Sequence, residues 1–242
     1  MTIDALKTVA QFLVFPGLLF AAVAGMFATW IDRKVTARLQ WRLGPPLLQP
    51  FYDFFKLLGK EVVIPRGASK VTFLAAPLVG LAGAGLAAGL LGQTVVGAEG
   101  GFRGDIIVLL YLLVVPSLAV IVGASASKNP LAAVGASREM KLVLSYELPF
   151  ILAMVVPIVQ SGGQLRLGAL VSFQEAEGAV AWSLSGFLAL VVGVLCTQAK
   201  LALVPFDQAE AETEIMGGAL IEYSGAPLAV FRKRPTSAWR KR

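Results

Sequence analysis

Long apolar runs alternate with shorter charged segments along this chain of 242 residues. A helix that crosses a bilayer needs about 20 mostly apolar residues. Five runs qualify or nearly qualify, and they cover residues 9–31, 73–91, 106–126, 142–159 and 180–204. The pattern predicts an all-α fold, a polytopic membrane helical bundle with about five transmembrane helices. Residues 1–230 would form a single transmembrane domain.

The apolar runs carry signs of how their helices pack. The first run has no basic start and continues into Asp32-Arg33-Lys34, so it is not expected to be a cleaved signal peptide. Gly85 and Gly89 form a small-xxx-small pair in the second run, which predicts the close approach of another helix. Pro149 and Pro157 are expected to bend the fourth helix, because each removes a backbone donor.

The segment 47–60, LLQPFYDFFKLLGK, has a different pattern. Its polar residues recur on one face of a helix and its apolar residues cover most of the remainder, which predicts an amphipathic helix lying in the membrane interface. The polar face holds Gln49, Asp53, Lys56 and Lys60. This helix is either a plain surface anchor or the lip of a cavity that opens toward the bilayer. In the second case Phe51, Phe54 and Phe55 would form the lip.

Composition supports the bilayer as solvent and limits the chemistry. Hydrophobic residues make up 57% of the chain and charged residues 15%, against about 25% charged in a typical soluble domain. The net charge of +6 does not suggest nucleic acid as a partner, because the basic residues lie between apolar runs. With no His and a single Cys, this chain is expected to bind no haem, iron–sulfur cluster or zinc by itself. Cys196 is expected to be a buried packing residue.

The distribution of basic residues predicts the orientation. Most of them lie in residues 32–72 and in the connection between the third and fourth runs, whereas the opposite loops are mainly acidic. By the positive-inside rule, the N-terminus faces outward and both basic segments face the cytoplasm. The basic residues of these two segments are Arg33, Lys34, Arg38, Arg42, Lys56, Lys60, Arg66 and Lys70, then Lys128, Arg138 and Lys141.

Ionisable residues within apolar sequence are costly and often functional. Glu147 lies about one and a half turns into the fourth run. It has either a proton or ion role, or a position near enough to the interface to pair with Lys141 or Arg138.

An acidic segment, residues 203–227, follows the fifth run. Asp207, Glu210 and Glu214 are spaced i, i+3 and i+7, which predicts one helical face, while Glu212 points elsewhere. An acidic run is usually a solvated loop, but this one is flanked by apolar residues and contains no Lys or Arg. Two glycine-containing pairs would interrupt a helix, so we expect a bent cytoplasmic acidic loop that folds into the protein and takes part in proton transfer.

Three stretches resemble a known family. They are DRKVTARLQWRLGPPLLQPFYDFFKLLGKEVVIP (residues 32–65), GASREMKLVLSYELPF (135–150) and PFDQAEAETEIMGGALIEYSG (205–225). The chain resembles the subunit 1 family of respiratory complex I, which includes the H subunit of bacterial NADH-quinone oxidoreductase. Within that family it is most similar to the membrane subunit of energy-converting membrane-bound [NiFe] hydrogenases.

The resemblance implies a coupling subunit of an ion-translocating oxidoreductase, in the inner (cytoplasmic) membrane of a prokaryote. Such a subunit docks a hydrophilic module with iron–sulfur clusters and Ni–Fe, contacts membrane lipid and antiporter-like subunits, and binds no cofactor itself. By resemblance, docking falls to Arg33, Arg38 and Arg42. The proton path would comprise Glu139, Glu147, Asp207, Glu210, Glu212 and Glu214.

The family usually continues with about three more helices after the acidic loop, so this chain is expected to be C-terminally short, with residues 231–242 a basic tail outside the family pattern. Three alternatives remain. The first is the equivalent subunit of a proton-pumping NADH:quinone oxidoreductase, whose partners would carry FMN and quinone. The second is a structural membrane anchor, which predicts that neutralising Glu147 or Asp207 leaves ion transport intact. The third, a stand-alone channel or transporter, predicts internal repeats, and none is evident.

Overall fold

A computed structural model describes residues 10–95 and 102–231, and within these ranges the regular structure is entirely helical. The turn Val180–Trp182 and the turn Gly218–Leu220 are 3₁₀-helices. The α-helices from Leu18 onward are α1 Leu18–Leu39, α2 Gln49–Leu58, α3 Lys70–Val95, α4 Asp105–Ala126, α5 Pro130–Gln160, α6 Leu167–Glu177, α7 Leu184–Lys200, α8 Glu212–Ile215 and α9 Gly225–Phe231.

The predicted all-α membrane bundle is confirmed. In the described ranges, four helical segments are long and apolar enough to span a bilayer: Ala10–Leu39, which includes α1, then Lys70–Thr94, Asp105–Ala126 and Pro130–Gln160. The fifth predicted span is the shorter α7, of 17 residues. It starts later than predicted because the Ser183 side chain caps it, accepting a hydrogen bond from the Gly186 N–H at 3.0 Å.

Helix α5 is 31 residues long and begins well before the predicted fourth run. Asn129 caps its first turn by accepting from the Leu131 N–H at 2.9 Å, and Pro130 follows at the first helical position. The placement of Arg138 and Lys141 in a connecting loop was therefore wrong, since both lie within α5. Hydropathy alone did not reveal this start. The residues buried in the first turns of α5 are only alanine and glycine, which give no strong apolar signal.

Glycines in α3 set the closest helix contacts. A Cβ added at Gly85 would lie 2.9 Å from the Leu18 Cδ1 atom, and one added at Gly89 would overlap the Phe12 ring. The small-xxx-small prediction is thus confirmed, with the N-terminal part of the first span as the partner. On its other side α3 packs along α4, where a Cβ at Gly83 would collide with Val115.

The end of the acidic loop is fastened to the start of α3. The Tyr223 ring stacks on Phe73 with centroids 4.1 Å apart, and meets Phe231 edge-on at 4.9 Å. The Tyr223 hydroxyl donates to the Phe73 carbonyl oxygen at 3.0 Å, and burial raises the pKa of this hydroxyl above its usual value. Beside it, the Ser224 hydroxyl accepts from the Val63 N–H at 2.8 Å. The acidic segment therefore folds back against the sequence that follows α2.

Tyr223→Phe should lower the free energy of unfolding by about 1 kcal/mol, because the stacking is kept and one buried hydrogen bond is lost. Thermal unfolding of the detergent-solubilised protein measures the change. Tyr111→Phe is the matched control, since Tyr111 is 73% exposed, and its effect should stay within about 0.5 kcal/mol. Equal effects of the two variants would contradict a fastening role for the Tyr223 hydroxyl.

Candidate functional site: a charged network beside the acidic loop

Glu139 is a buried carboxylate on α5, with only 4% of its surface exposed. Burying a charge is costly unless it is paired. Within the described ranges, no hydrogen bond or ion pair to Glu139 is found. Its position on α5 is one turn beyond Gly135, where the acidic loop packs on the helix. Glu139 thus lies at the junction of the loop and the bundle.

Glu147, two turns farther along α5, has a cationic partner. The Lys200 ammonium donates to its Oε2 atom at 2.9 Å, and the Lys200 side chain is 9% exposed. Lys200 is the last residue of α7. Lys141 and Arg138 were the partners predicted from the sequence for Glu147, and this prediction was wrong because the partner is Lys200. The distance along the chain hid Lys200, which lies 53 residues away.

Two hydroxyl groups extend this network toward α4. The Tyr146 and Ser117 oxygens are 3.3 Å apart, and both residues are buried. Tyr146 also packs in a core cluster with Leu142 and Cys196. The expectation that Cys196 is a buried packing residue is confirmed, while Lys200, Tyr146 and Ser117 were missed. A lone lysine at the end of an apolar run was the signal that could have suggested Lys200.

The acidic loop is bent, as expected, but its carboxylates do not share a helical face. Asp207 lies in irregular backbone and Glu210 in a turn, and only the four residues Glu212–Ile215 form α8. The helical-face prediction was wrong because Pro205 and the following turns interrupt the spacing that it assumed. The side chain of Glu212 lies outside the described part of the structure.

Basic and amide groups from α5 and its cap compensate the loop. Arg138 Nη1 donates to Glu214 Oε2 at 2.6 Å, with 33% and 61% of the two side chains exposed. The Asn129 amide donates to the Glu222 carboxylate. Exposed ion pairs contribute under about 1 kcal/mol each, so these contacts orient the loop more than they stabilise it.

Close backbone packing seats the loop on α5. A Cβ added at Gly135 would lie 2.8 Å from the Gly218 carbonyl carbon and 2.9 Å from the Ala209 carbonyl oxygen, and it would also overlap the Ala219 nitrogen. The Ala219 N–H in turn donates to the Ala209 carbonyl at 3.2 Å. Only a glycine at position 135 leaves room for this arrangement.

The amphipathic helix is confirmed as α2, and its polar face meets α1. Arg33 Nη1 lies 3.3 Å from Asp53 Oδ2, and the Gln49 amide donates to the same carboxylate at 2.9 Å. Of the three arginines predicted to dock a partner, Arg33 is thus engaged within the chain. Arg38 and Arg42 are exposed.

The three predicted lip residues differ in exposure. Phe51 packs edge-on against Phe27 with ring centroids 5.8 Å apart. Phe54 contacts Phe55 at the same centroid distance, and Phe55 is 65% exposed. An open apolar face therefore exists on α2, and its role as a cavity lip stays a prediction.

These features define a class of protein: a polytopic, all-helical membrane protein with a buried carboxylate, a partly buried ion pair between two helices, and a folded acidic loop. Comparison with known proteins gives the family. The sequence model of the NADH dehydrogenase family matches residues 11–235. The chain belongs to this family, as the three motif stretches indicated.

Curated relatives agree with this assignment. NADH-quinone oxidoreductase subunit 8 of Thermus thermophilus is 36% identical over 234 residues, which cover 91% of this chain and 62% of that protein. The H subunit of NADH-quinone oxidoreductase from Maricaulis maris is 33% identical, with coverages of 92% and 67%. This chain therefore spans about two thirds of the length of these relatives.

A solved structure shares the fold. It is a chain of the membrane-bound sulfane sulfur reductase, described as an archaeal respiratory membrane complex. The two chains superpose with a TM-score of 0.76 at 26% identity, over 94% of this chain and 73% of the other. This chain therefore shares its fold with a chain of a respiratory membrane complex.

Proposed function

We propose that this chain is the integral membrane coupling subunit of a multisubunit ion-translocating oxidoreductase. It docks a peripheral redox module at its cytoplasmic face and begins the path of protons or sodium ions. The observation that carries the proposal is the burial of Glu139. A carboxylate with 4% exposure and no ion-pair partner among the described residues is costly for stability, and such groups in membrane proteins commonly mark ion paths.

The surrounding groups support a path that starts at the acidic loop. Asp207 is exposed and Glu210 is partly buried on that loop. Glu139 lies on α5 one turn beyond the loop contact at Gly135, and Glu147 with its Lys200 partner follows on the same helix. Carboxylates that follow one another from the exposed loop to the interior of α5 offer successive positions for a proton relay.

The contacts between helix ends support docking on the same side. The Ser69 N–H at the start of α3 donates to the Ala126 carbonyl at the end of α4, at 3.1 Å. The Ser224 contact with Val63 brings the acidic loop to this side as well. The basic segment with Arg38 and Arg42 precedes these contacts, so we place the redox module here. This side faces the cytoplasm in the proposal, so the N-terminus lies on the outer side of a prokaryotic inner membrane.

The proposed module carries the redox centres. In the preferred form of the proposal, hydrophilic hydrogenase-like subunits bind iron–sulfur clusters and Ni–Fe, antiporter-like membrane subunits extend the ion path, and this chain binds lipid and no cofactor. This branch follows from the motif forms GASREMK and EAETEIMGGALIEYSG. The fold shared with a chain of the archaeal sulfane sulfur reductase supports membership of a multisubunit respiratory membrane complex.

A second candidate is the equivalent subunit of a proton-pumping NADH:quinone oxidoreductase. The identities of 33% and 36% to curated NADH-quinone oxidoreductase subunits favour it. In that case the partners carry FMN, and the open apolar face of α2 with Phe55 borders the entrance for quinone.

Purification of a tagged chain from its native membrane in mild detergent tests both forms. The expected result is co-purification of a module containing Ni and iron–sulfur clusters together with antiporter-like subunits, identified by mass spectrometry and metal analysis. FMN- and NADH-linked subunits would instead establish the second candidate. An intact chain recovered alone would contradict both, and ion transport by that lone chain in vesicles would indicate a transporter.

A further inference from the structure

The partly buried ammonium of Lys200 contacts more than one group. Its Nζ atom lies 2.9 Å from Glu147 Oε2, and its side chain is 9% exposed. The same atom lies 5.0 Å from the ring centroid of Tyr146 and 4.5 Å from that of Phe150. Removing an ammonium from water is costly, and a carboxylate with two aromatic faces offsets that cost.

All three of these contacts are on one stretch of α5, while Lys200 comes from the end of α7. Tyr146 and Glu147 are neighbours in sequence, and Phe150 is one turn onward. Because adjacent residues of a helix point in different directions, the one ammonium contacts side chains from more than one side of α5. Tyr146 is itself positioned by Ser117 of α4, 3.3 Å away. The ion pair therefore has a fixed location at the meeting point of three helices.

We propose that Lys200 is a positioning residue for ion translocation, because its ammonium holds the Glu147 carboxylate beside Tyr146. The proposal rests on the proposed function of Glu147 as a step of the ion path. Loss of the ammonium releases the carboxylate from this place, although the carboxyl group itself stays on the chain. A displacement of about 1 Å can cost a transfer step about 10²-fold, so the position of Glu147 matters as much as its presence.

The first experiment compares ion translocation with electron transfer in the assembled complex. Lys200→Met should lower the number of ions moved per electron about tenfold or more, whereas Lys200→Arg should retain most of it. Combining Lys200→Met with Glu147→Gln should do no more damage than Glu147→Gln alone. Lys141→Met is the matched control, since Lys141 is an exposed lysine of α5. A purely structural Lys200 would reduce both activities together, which would overturn the proposal.

The second experiment does not depend on transport. A hydrophobic carbodiimide adds to protonated carboxyl groups in apolar surroundings, and a neighbouring ammonium disfavours the protonated form. Mass spectrometry locates the labelled peptide. Labelling of Glu147 should rise severalfold in Lys200→Met and stay at the wild-type level in Lys141→Met. Unchanged labelling in Lys200→Met would overturn the proposal. If that variant does not assemble, Lys200→Gln serves in the same comparison.

The two experiments distinguish the role of Glu147 in the ion path from the role of Lys200 in positioning it. If Glu147→Gln leaves the ratio of ions to electrons unchanged, the proposed role of Glu147 in the ion path is wrong, and with it the functional part of this inference. The labelling result then still decides whether Lys200 holds Glu147 in place.

Discussion

Glu139→Gln should lower the rate of ion translocation by about 100-fold, the usual scale for loss of a positioned proton-transfer group, while electron transfer in the peripheral module continues. Glutamine has nearly the same size and keeps one carbonyl oxygen, but it cannot bind and release a proton near neutral pH. The change therefore removes the chemistry and leaves the packing of α5 nearly intact.

The same substitution should not destabilise the protein. Glu139 is 4% exposed and lacks an ion-pair partner among the described residues, so a neutral side chain removes the cost of burying a charge. A structural role would have the opposite sign, because a stabilising carboxylate is lost. The combination of lower transport with equal or higher thermal stability is thus characteristic of a functional Glu139.

Ion movement is measured with a fluorescent pH or sodium indicator in vesicles holding the complex, and electron transfer is measured on the same vesicles. Glu175→Gln is the matched control, since Glu175 is an exposed carboxylate on α6, away from the acidic loop. Transport unaffected by Glu139→Gln would remove the central support for an ion path here and would favour the membrane-anchor alternative.

Gly135→Val should displace the acidic loop and lower the free energy of unfolding by about 3 kcal/mol, near the upper end for overpacked sites. Even the first added carbon would collide with the backbone of Ala209 and residues 218–219. Backbone atoms cannot rotate away as a flexible side chain does, so the loop itself must move. Because Glu139 lies one helical turn from Gly135, ion translocation should fall along with stability.

Gly193→Val is the control for this substitution. Gly193 also lies inside a helix, α7, and a Cβ there has no atom within 4 Å to collide with. Its effect should be within about 0.5 kcal/mol, because valine and glycine differ little in helix propensity. Thermal unfolding and the rate of limited proteolysis at the loop provide the measurements. Equal rates of proteolysis at the loop in Gly135→Val and Gly193→Val would contradict the close packing of the loop on α5.

Local patterns were sufficient for most of the fold. The apolar runs predicted the spanning helices because lipid accepts a segment only when its backbone bonds are satisfied within a helix, which makes length and hydropathy decisive. The amphipathic spacing predicted α2 for a similar reason, since adjacent turns decide which face is apolar. Hydropathy and residue spacing gave wrong predictions where apolar length was not decisive. The start of α5 was placed too late, and a helical face was predicted where turns surround Asp207.

The sequence by itself determined that this is an all-helical membrane protein, that it belongs to the NADH dehydrogenase family, and which carboxylates to test. Only the tertiary structure decided how those carboxylates are grouped: Glu147 with Lys200, Glu214 with Arg138, and Glu139 buried on α5. Hydropathy is a property of neighbouring residues and can be read along a chain. Charge pairing depends on distances of a few ångströms between residues 53 or 76 positions apart, and packing of helices and loop sets those distances.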